Sequence, residues 1–385
     1  MKKKITAIIS FVFIFASFTK LYGQELNAIQ TVVPFLSIAP DSRAGGMGDA
    51  GVATSPDVYS QHWNPAKYAF IDGNGGVGIS YSPWLRNLVP DINIAYLTGY
   101  YRIDNKQVAS ASLLYSSLGD VPFTDDFGNL ERNFKPNELA FDLGYSRMFS
   151  ENFSGGIAFR FIYSNLTGGT YSGGEATKPG TSFAADISGY YHKDISIFSK
   201  DGLVGLGFNL SNIGSKMSYS DGQTSDFIPM NMRLGASGKI ELDNYNTLTL
   251  AIDLNKLLVP TPPIYNIDME IVKGMDPNVS VPVAILHSFY DAPGGFKEEL
   301  REITYSFGTE YWYNNQFAIR AGYFYENETK GNRKYFTAGA GFRLKEFTLD
   351  FSYLMPQTQN HPLARTLRFS LSFDSNTLRN VVSSN

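Results

Sequence analysis

Between residues 75 and 374 the chain alternates apolar and polar side chains with a period of two. Leu139, Phe141, Leu143 and Tyr145 fall on one side of such a run, and Ala140, Asp142, Gly144 and Ser146 on the other. Phe347, Leu349, Phe351 and Tyr353 oppose Thr348, Asp350 and Ser352 in the same way, as Leu367, Phe369, Leu371 and Phe373 oppose Thr366, Arg368, Ser370 and Ser372. A two-residue period marks strands whose faces meet different surroundings. Fourteen strands are predicted, near 75–83, 92–102, 107–118, 137–148, 153–166, 181–192, 202–212, 229–241, 246–258, 303–313, 316–326, 334–344, 346–355 and 365–374.

The connections between them have their own rhythm. Short ones at 103–106, 149–152, 242–245, 314–315 and 345, with 193–201 somewhat longer, alternate with longer ones at 84–91, 119–136, 167–180, 213–228, 259–302, 327–334 and 355–364. An even strand number with short turns at one end and long loops at the other is the pattern of outer-membrane barrels. The expected fold is therefore all-β: a 14-stranded antiparallel transmembrane β-barrel with an N-terminal plug. The apolar face is assigned to lipid, the long loops to the cell exterior, and both termini to the periplasm. Aromatic residues near strand ends, among them Tyr81, Trp84, Tyr100, Tyr101, Tyr190, Tyr191, Tyr311, Trp312 and Tyr313, are expected to anchor at headgroup level.

Residues 24–74 do not alternate and read as a lead-in and lumenal plug. Within 43–66, RAGGMGDAGVATSPDVYSQHWNPA, Gly45, Gly46, Gly48 and Gly51 imply tight turns and close backbone packing. Arg43, Asp49, Asn64 and Pro65 complete the set singled out there, Asn64-Pro65 as a turn signal. Gly46 to Gly51 also spells G-x-G-x-x-G. A dinucleotide fingerprint, however, needs a preceding strand and a succeeding helix, whereas Asp41-Ser42 precede it and Pro56 interrupts any helix beyond it.

Residues 1–23 read as a secretory signal peptide, with Lys2, Lys3 and Lys4 ahead of an apolar run too short to span a membrane as a helix. Its removal takes away Lys2, Lys3, Lys4 and Lys20 and no acid, moving the formal charge from −4 to −8, which argues against a nucleic-acid partner. Residues 375–385 form a polar C-terminal tail. The absence of cysteine excludes disulfides and an N-terminal lipidated cysteine. With 24 Tyr, 29 Phe and 36 Gly, the composition fits a barrel with aromatic girdles embedded in outer-membrane lipid.

Following the alternation inward places Asp142, Arg160, Asp186, Arg233, Asp253, Glu310, Arg320, Arg343, Asp350 and Arg368 in the lumen. Five acids meet five arginines, whereas an ion-selective pore favours one sign. Internal pairing, and restraint of the plug through Arg43, Asp49 or Asp57, is the expectation. Enzymatic signals are poor: His62, His192, His287 and His361 are scattered without H-E-x-x-H spacing, and no G-x-S-x-G occurs. A spatially assembled Ser–His pair near His192 is the remaining catalytic arrangement considered. Asp120, Asp125 and Asp126 lack the regular oxygen spacing of a calcium loop. No cofactor or metal is expected.

The 259–302 connection is exceptional in length. Pro260 and Pro263 stiffen its start, and 296–303, FKEELREI, has the spacing of a short amphipathic helix. It reads either as a partner-contact surface, with Phe289, Tyr290, Phe296 and Leu300 as candidate contacts, or as a lid over the barrel mouth.

SRAGGMGDAGVATSPDVYSQHWNPA at 42–66, followed by fourteen strands, resembles the FadL-like outer-membrane proteins. With FKEELREITYSFGTEYWY at 296–313, it is similar within them to the PorV family of the type IX secretion system. The resemblance covers essentially the whole mature chain. It implies a non-enzymatic outer-membrane protein that binds exported cargo bearing a C-terminal signal domain. It also implies association with a large SprA-type translocon barrel and a PorU-type sortase-like peptidase. FadL-type transport of hydrophobic small molecules is the alternative, and a general porin a third.

Overall fold

The computed structural model describes residues 26–85, 91–124, 127–169, 171–172, 175–197, 199–220, 225–358, 362–364 and 366–375. The expected signal peptide, Asp125, Asp126, His361 and all but Ser375 of the expected tail lie outside these residues.

Fourteen strands close into one barrel in sequence order. They are β1 (Gly75–Pro83), β2 (Ile92–Arg102), β3 (Gln107–Leu118), β4 (Asn137–Met148), β5 (Phe153–Asn165), β6 (Gly180–Ile197) and β7 (Lys200–Gly214), followed by β8 (Asn231–Glu241), β9 (Asn246–Leu257), β10 (Thr304–Tyr313), β11 (Phe317–Tyr325), β12 (Lys334–Leu344), β13 (Phe347–Pro356) and β14 (Leu367–Asp374). All neighbours are antiparallel, and β1 closes on β14 with Ile79 opposite Leu371. Closure leaves no unpaired sheet edge within the wall, the condition for crossing hydrocarbon with strands.

The period-two expectation holds along the wall. Val77, Ile79 and Tyr81 of β1 point outward, whereas Gly76, Gly78, Ser80 and Ser82 are buried. Adjacent aromatics split accordingly: Tyr101, Tyr191 and Tyr313 face outward, while Tyr100, Tyr190 and Trp312 turn into the lumen. Only one of each neighbouring pair can serve a girdle, so the expectation that all would anchor at the headgroups is corrected by the pleat.

One hairpin departs from its expected ends. Strands β6 and β7 run to Ile197 and from Lys200, so the 193–201 connection shrinks to residues 198–199. The long loops carry small hairpins of their own, including Val121–Thr124 with Leu130–Phe134 and Ile264–Tyr265 with Ile271–Lys273.

Residues 26–74 run through the barrel from the long-loop mouth to the short-turn mouth. The Asn27 amide donates to the Thr329 carbonyl (3.0 Å), and the Asn27 side chain donates to the Pro262 carbonyl (3.1 Å). At the other end Tyr100 and Arg102 donate to the carbonyls of Asp72 and Gly73, both at 3.0 Å. Asp374 and Ser375 lie at this same short-turn mouth, where the Ser375 amide donates to the Gly75 carbonyl. The first described residues thus sit at the mouth opposite the last, while the termini themselves, expected in the periplasm, lie outside the described residues.

Candidate functional site: a filled lumen beneath a clamped loop

The segment inside the barrel is held by its own backbone. Four-residue helices at Ser42–Gly45 and Ser60–Trp63 and 3-10 turns at Pro34–Ser37 and Pro65–Phe70 are too short to satisfy their backbone groups internally. Inward side chains of the strands take up the remainder. Asp253 accepts from the amides of Gly51 (2.7 Å) and Val52 (2.9 Å). Thr337 accepts from the Gly48 amide and donates to the Gly46 carbonyl. Ser154, Ser237 and Ser80 donate to the carbonyls of Ala66, Ala53 and Pro40. Asn64 accepts from the Ala66 amide, at the start of the turn that Pro65 opens, and donates to the Val52 and Gly189 carbonyls. Gly48 has φ +69, and a Cβ there would lie 2.6 Å from the Tyr323 nitrogen and 2.7 Å from the Phe307 oxygen. Only glycine lets the chain pass so close to the wall.

The inward charges form two compact clusters. Arg160 grips Asp142 with two hydrogen bonds of 2.7 and 2.8 Å, reaches Asp186 at 3.1 Å and also donates to Asn212. Arg43 of the plug bonds Glu310 (2.8 Å) and Asp57 (2.8 Å), and Arg320 bonds Glu310 and Asp350, each at 2.7 Å. Asp57 therefore pairs within the plug rather than with a strand. Asp49 accepts from the Tyr335 hydroxyl (2.5 Å) and lies 3.7 Å from Arg368. Three expected members of the network behave differently. Asp253 binds backbone, Arg233 donates to the His62 carbonyl (2.9 Å) with its guanidinium 5.1 Å from the Trp63 ring, and Arg343 is exposed with its guanidinium 4.6 Å from the Trp312 ring. Simple acid–arginine pairing thus fails at these positions: the plug supplies amides to Asp253 and a carbonyl and a ring to Arg233, whereas the β10 ring of Trp312 and the β13 hydroxyl of Thr348 engage Arg343.

A third cluster was not anticipated from sequence. Lys256, at the end of β9, bonds Glu299 (2.9 Å) and Glu302 (2.7 Å), while Lys330 bonds Glu302 (2.9 Å) and Glu298 (2.6 Å). Thr261 donates to Glu302, the Ala292 amide to Glu299, and Asn27 to Glu298. Both ends of the 259–302 loop are thereby fastened to the barrel, to the 326–333 loop and to the plug lead-in. Burial pushes the neighbouring Asp291 carboxyl up to about 6, and Glu299 and Glu302 add to that shift.

The clamp fixes which face of 296–303 turns outward. The segment is helical, α at Phe296–Glu299 and 3-10 at Leu300–Glu302. Its acids turn inward, with Glu299 5% and Glu302 6% exposed, whereas Phe296 is 76% and Leu300 47% exposed. Phe289 and Tyr290 are exposed as well, Pro260 is half-buried, and Pro263 is buried and so unavailable to a partner. The hairpin tip adds Ile264, Tyr265, Ile267, Met269, Ile271 and Val272, all exposed. The loop therefore presents apolar side chains to its surroundings, interspersed at the hairpin tip with exposed Asp268, Glu270 and Lys273, while Glu299 and Glu302 are buried in the clamp.

The lumen holds cavities at both ends of the plug. One of 260 Å³ at the short-turn mouth is lined by Arg43, Asp57, Glu310, Arg320, Arg343 and Asp374 among others. One of 160 Å³ under the clamp is lined by Asp49, Arg233, Asn255, Glu302, Lys330 and Arg333 among others. The first is rich in charged groups, and the second mixes them with Ile29, Trp63, Leu257 and Phe324.

Solved structures are similar to the chain at low identity. The toluene transporter TodX of P. putida matches at 12% identity over 91% of this chain and 99% of its own, with a TM-score of 0.50. A Pseudomonas aeruginosa FadL homologue matches at 12% identity over 90% and 99%, with a TM-score of 0.44. No curated protein matches the chain. The family model described as "Type IX secretion system protein PorV" matches residues 22–264, well over half of the chain. A closed 14-strand barrel with that match has an outer-membrane role in secretion or transport, and the chain belongs to the PorV family of the type IX secretion system.

Proposed function

We propose that this protein is a non-enzymatic docking subunit, which receives exported cargo at the long-loop mouth and passes it to the surface-attachment machinery. On this reading the cargo is a protein with a C-terminal signal domain, delivered by an SprA-type translocon and handed to a PorU-type peptidase. The observation that carries it is the 259–302 loop, pinned at its base by Lys256 and Lys330 and presenting exposed Ile264, Tyr265, Ile267, Met269, Ile271 and Val272 at its tip. Exposed apolar patches rimmed by polar residues mark protein interaction sites, and a pinned base limits the entropy lost when the tip is engaged.

Hydrophobic small-molecule transport fits less well, since it calls for an apolar path, and the cavities above and below the plug are lined by charged groups. Deleting residues 264–273 tests the proposal. The variant is expected to insert and keep its barrel while cargo no longer becomes attached to the cell surface. Normal attachment by that variant would refute the loop-docking role.

A further inference from the structure

The cavity under the clamp is lined by charges that do not all find partners. Its strand wall is built from two adjoining inward rows. Arg233, Asn255 and Thr304 face one another across β8, β9 and β10, and Ser306, Phe324 and Tyr335 do so across β10, β11 and β12. Directly opposed side chains in such a row start about 5 Å apart. The plug supplies Asp49 and Trp63 from the other side, and Glu302 and Lys330 of the clamp complete the lining. Two ion pairs within it are complete: Lys330 with Glu302 at 2.9 Å and Arg333 with Glu326 at 2.7 Å. Arg233 and Asp49 are left over. Arg233 is 6% exposed and forms no ion pair among the described residues; it meets the His62 carbonyl and the Trp63 ring instead. Asp49 gives one oxygen to the Tyr335 hydroxyl, but its Oδ1 accepts no hydrogen bond, and Arg368, outside the lining, stands at 3.7 Å. The Ser306 hydroxyl is fully buried and also has no hydrogen-bond partner among the described residues.

We infer that this cavity is a binding site for a small zwitterion of the α-amino acid class, its carboxylate on Arg233 and its ammonium on Asp49. A buried charge without a partner is costly, and the lining holds one such charge of each sign. A simple carboxylate would satisfy Arg233 and leave Asp49 facing it unpaired. An amine would do the reverse, and an apolar molecule would serve neither. Guanidinium and carboxylate match in a two-point hydrogen bond. The Ser306 hydroxyl, with the side chains of Asn255 and Thr304, adds donors along the same strand rows. Size narrows the class further. A cavity of about 150 Å³ accepts benzene, a molecule of about six heavy atoms, so 160 Å³ suits an amino acid as small as alanine or serine and excludes an aromatic one. Ile29, Leu257 and Phe324 offer apolar surface to its short side chain. The way in from the long-loop mouth passes Glu302 and Lys330, so opening of the clamp admits the ligand.

The test is equilibrium dialysis of the full-length protein in detergent at neutral pH against radiolabelled L-alanine and L-serine. Saturable binding of at least one of them is expected, at one molecule per barrel. Propionate, which lacks the ammonium, and ethylamine, which lacks the carboxylate, should compete at least tenfold more weakly, and L-tryptophan should not compete. Arg233→Gln and Asp49→Asn should each weaken binding at least tenfold, and Ser306→Ala at least threefold, with heat-modified gel mobility reporting whether each variant keeps its barrel. The competitor series needs only the parent protein, so it decides the matter even where a variant does not fold. Failure of both amino acids to saturate, the cavity then holding water only, would overturn the inference. So would competition by propionate or ethylamine within twofold of the amino acid, or binding by folded Arg233→Gln or Asp49→Asn within twofold of the parent.

Discussion

Replacing Lys256 by Met isolates what the clamp contributes. Lys256 serves Glu299 at 2.9 Å and Glu302 at 2.7 Å, all three side chains being nearly inaccessible to solvent. Methionine fills similar volume but strands the Glu299 carboxylate with one remaining donor, the Ala292 amide. Glu302 keeps Lys330 and Thr261. Breaking one partner of a buried ion pair costs about 3–5 kcal/mol, and the surviving bonds to Glu302 favour the lower end. A loss of about 3 kcal/mol raises the open population of the loop base roughly 150-fold. Hydrogen exchange of the amides in 288–302 measures this directly, with β9 and β10 as an internal reference. Protection of the loop base should fall by about two orders of magnitude while the strands are unchanged. Lys256→Met combined with Glu299→Gln should recover part of the loss, because the stranded charge is gone. Protection within threefold of the parent protein would mean that packing, not the ion cluster, holds the loop.

Two further outcomes concern the plug. Gly48→Ala puts a Cβ against the Tyr323 and Phe307 backbone at positive φ, so the plug should loosen and become cleavable by protease between residues 41 and 60 in detergent. Asp253→Ala leaves the buried amides of Gly51 and Val52 without an acceptor, costing about 1–3 kcal/mol for each; planar-bilayer recordings should change from quiet to transient openings.

The barrel was legible because its strands lie between two solvents. Lipid outside and a packed lumen inside force the alternation, as in Phe347–Pro356, whose burial alternates strictly from Phe347 to Met355. Where that constraint ends the reading ends too: Lys193 and Asp194 look like a turn, yet in water the ribbon needs no apolar face and continues to Ile197. The clamp was illegible for a different reason. Lysines are rarely buried, and Lys256 and Lys330 meet Glu299 and Glu302 only through tertiary folding. The spacing in 296–303 correctly gave a helix but not its orientation, since periodicity identifies a face without saying what opposes it. Arg233 and Asp253 were correctly placed inward, but their partners are backbone atoms of the plug, which side-chain pattern alone does not encode.

The docking account is tested most directly by recovering the tagged protein from its own outer membrane in mild detergent, with and without residues 264–273, and identifying what accompanies it by mass spectrometry. The intact protein should bring a very large barrel protein, a peptidase and proteins sharing a C-terminal domain, and the hairpin deletion should lose them while its barrel remains folded. Recovery of the same partners by both forms, or of the intact protein with bound lipid alone, would contradict it.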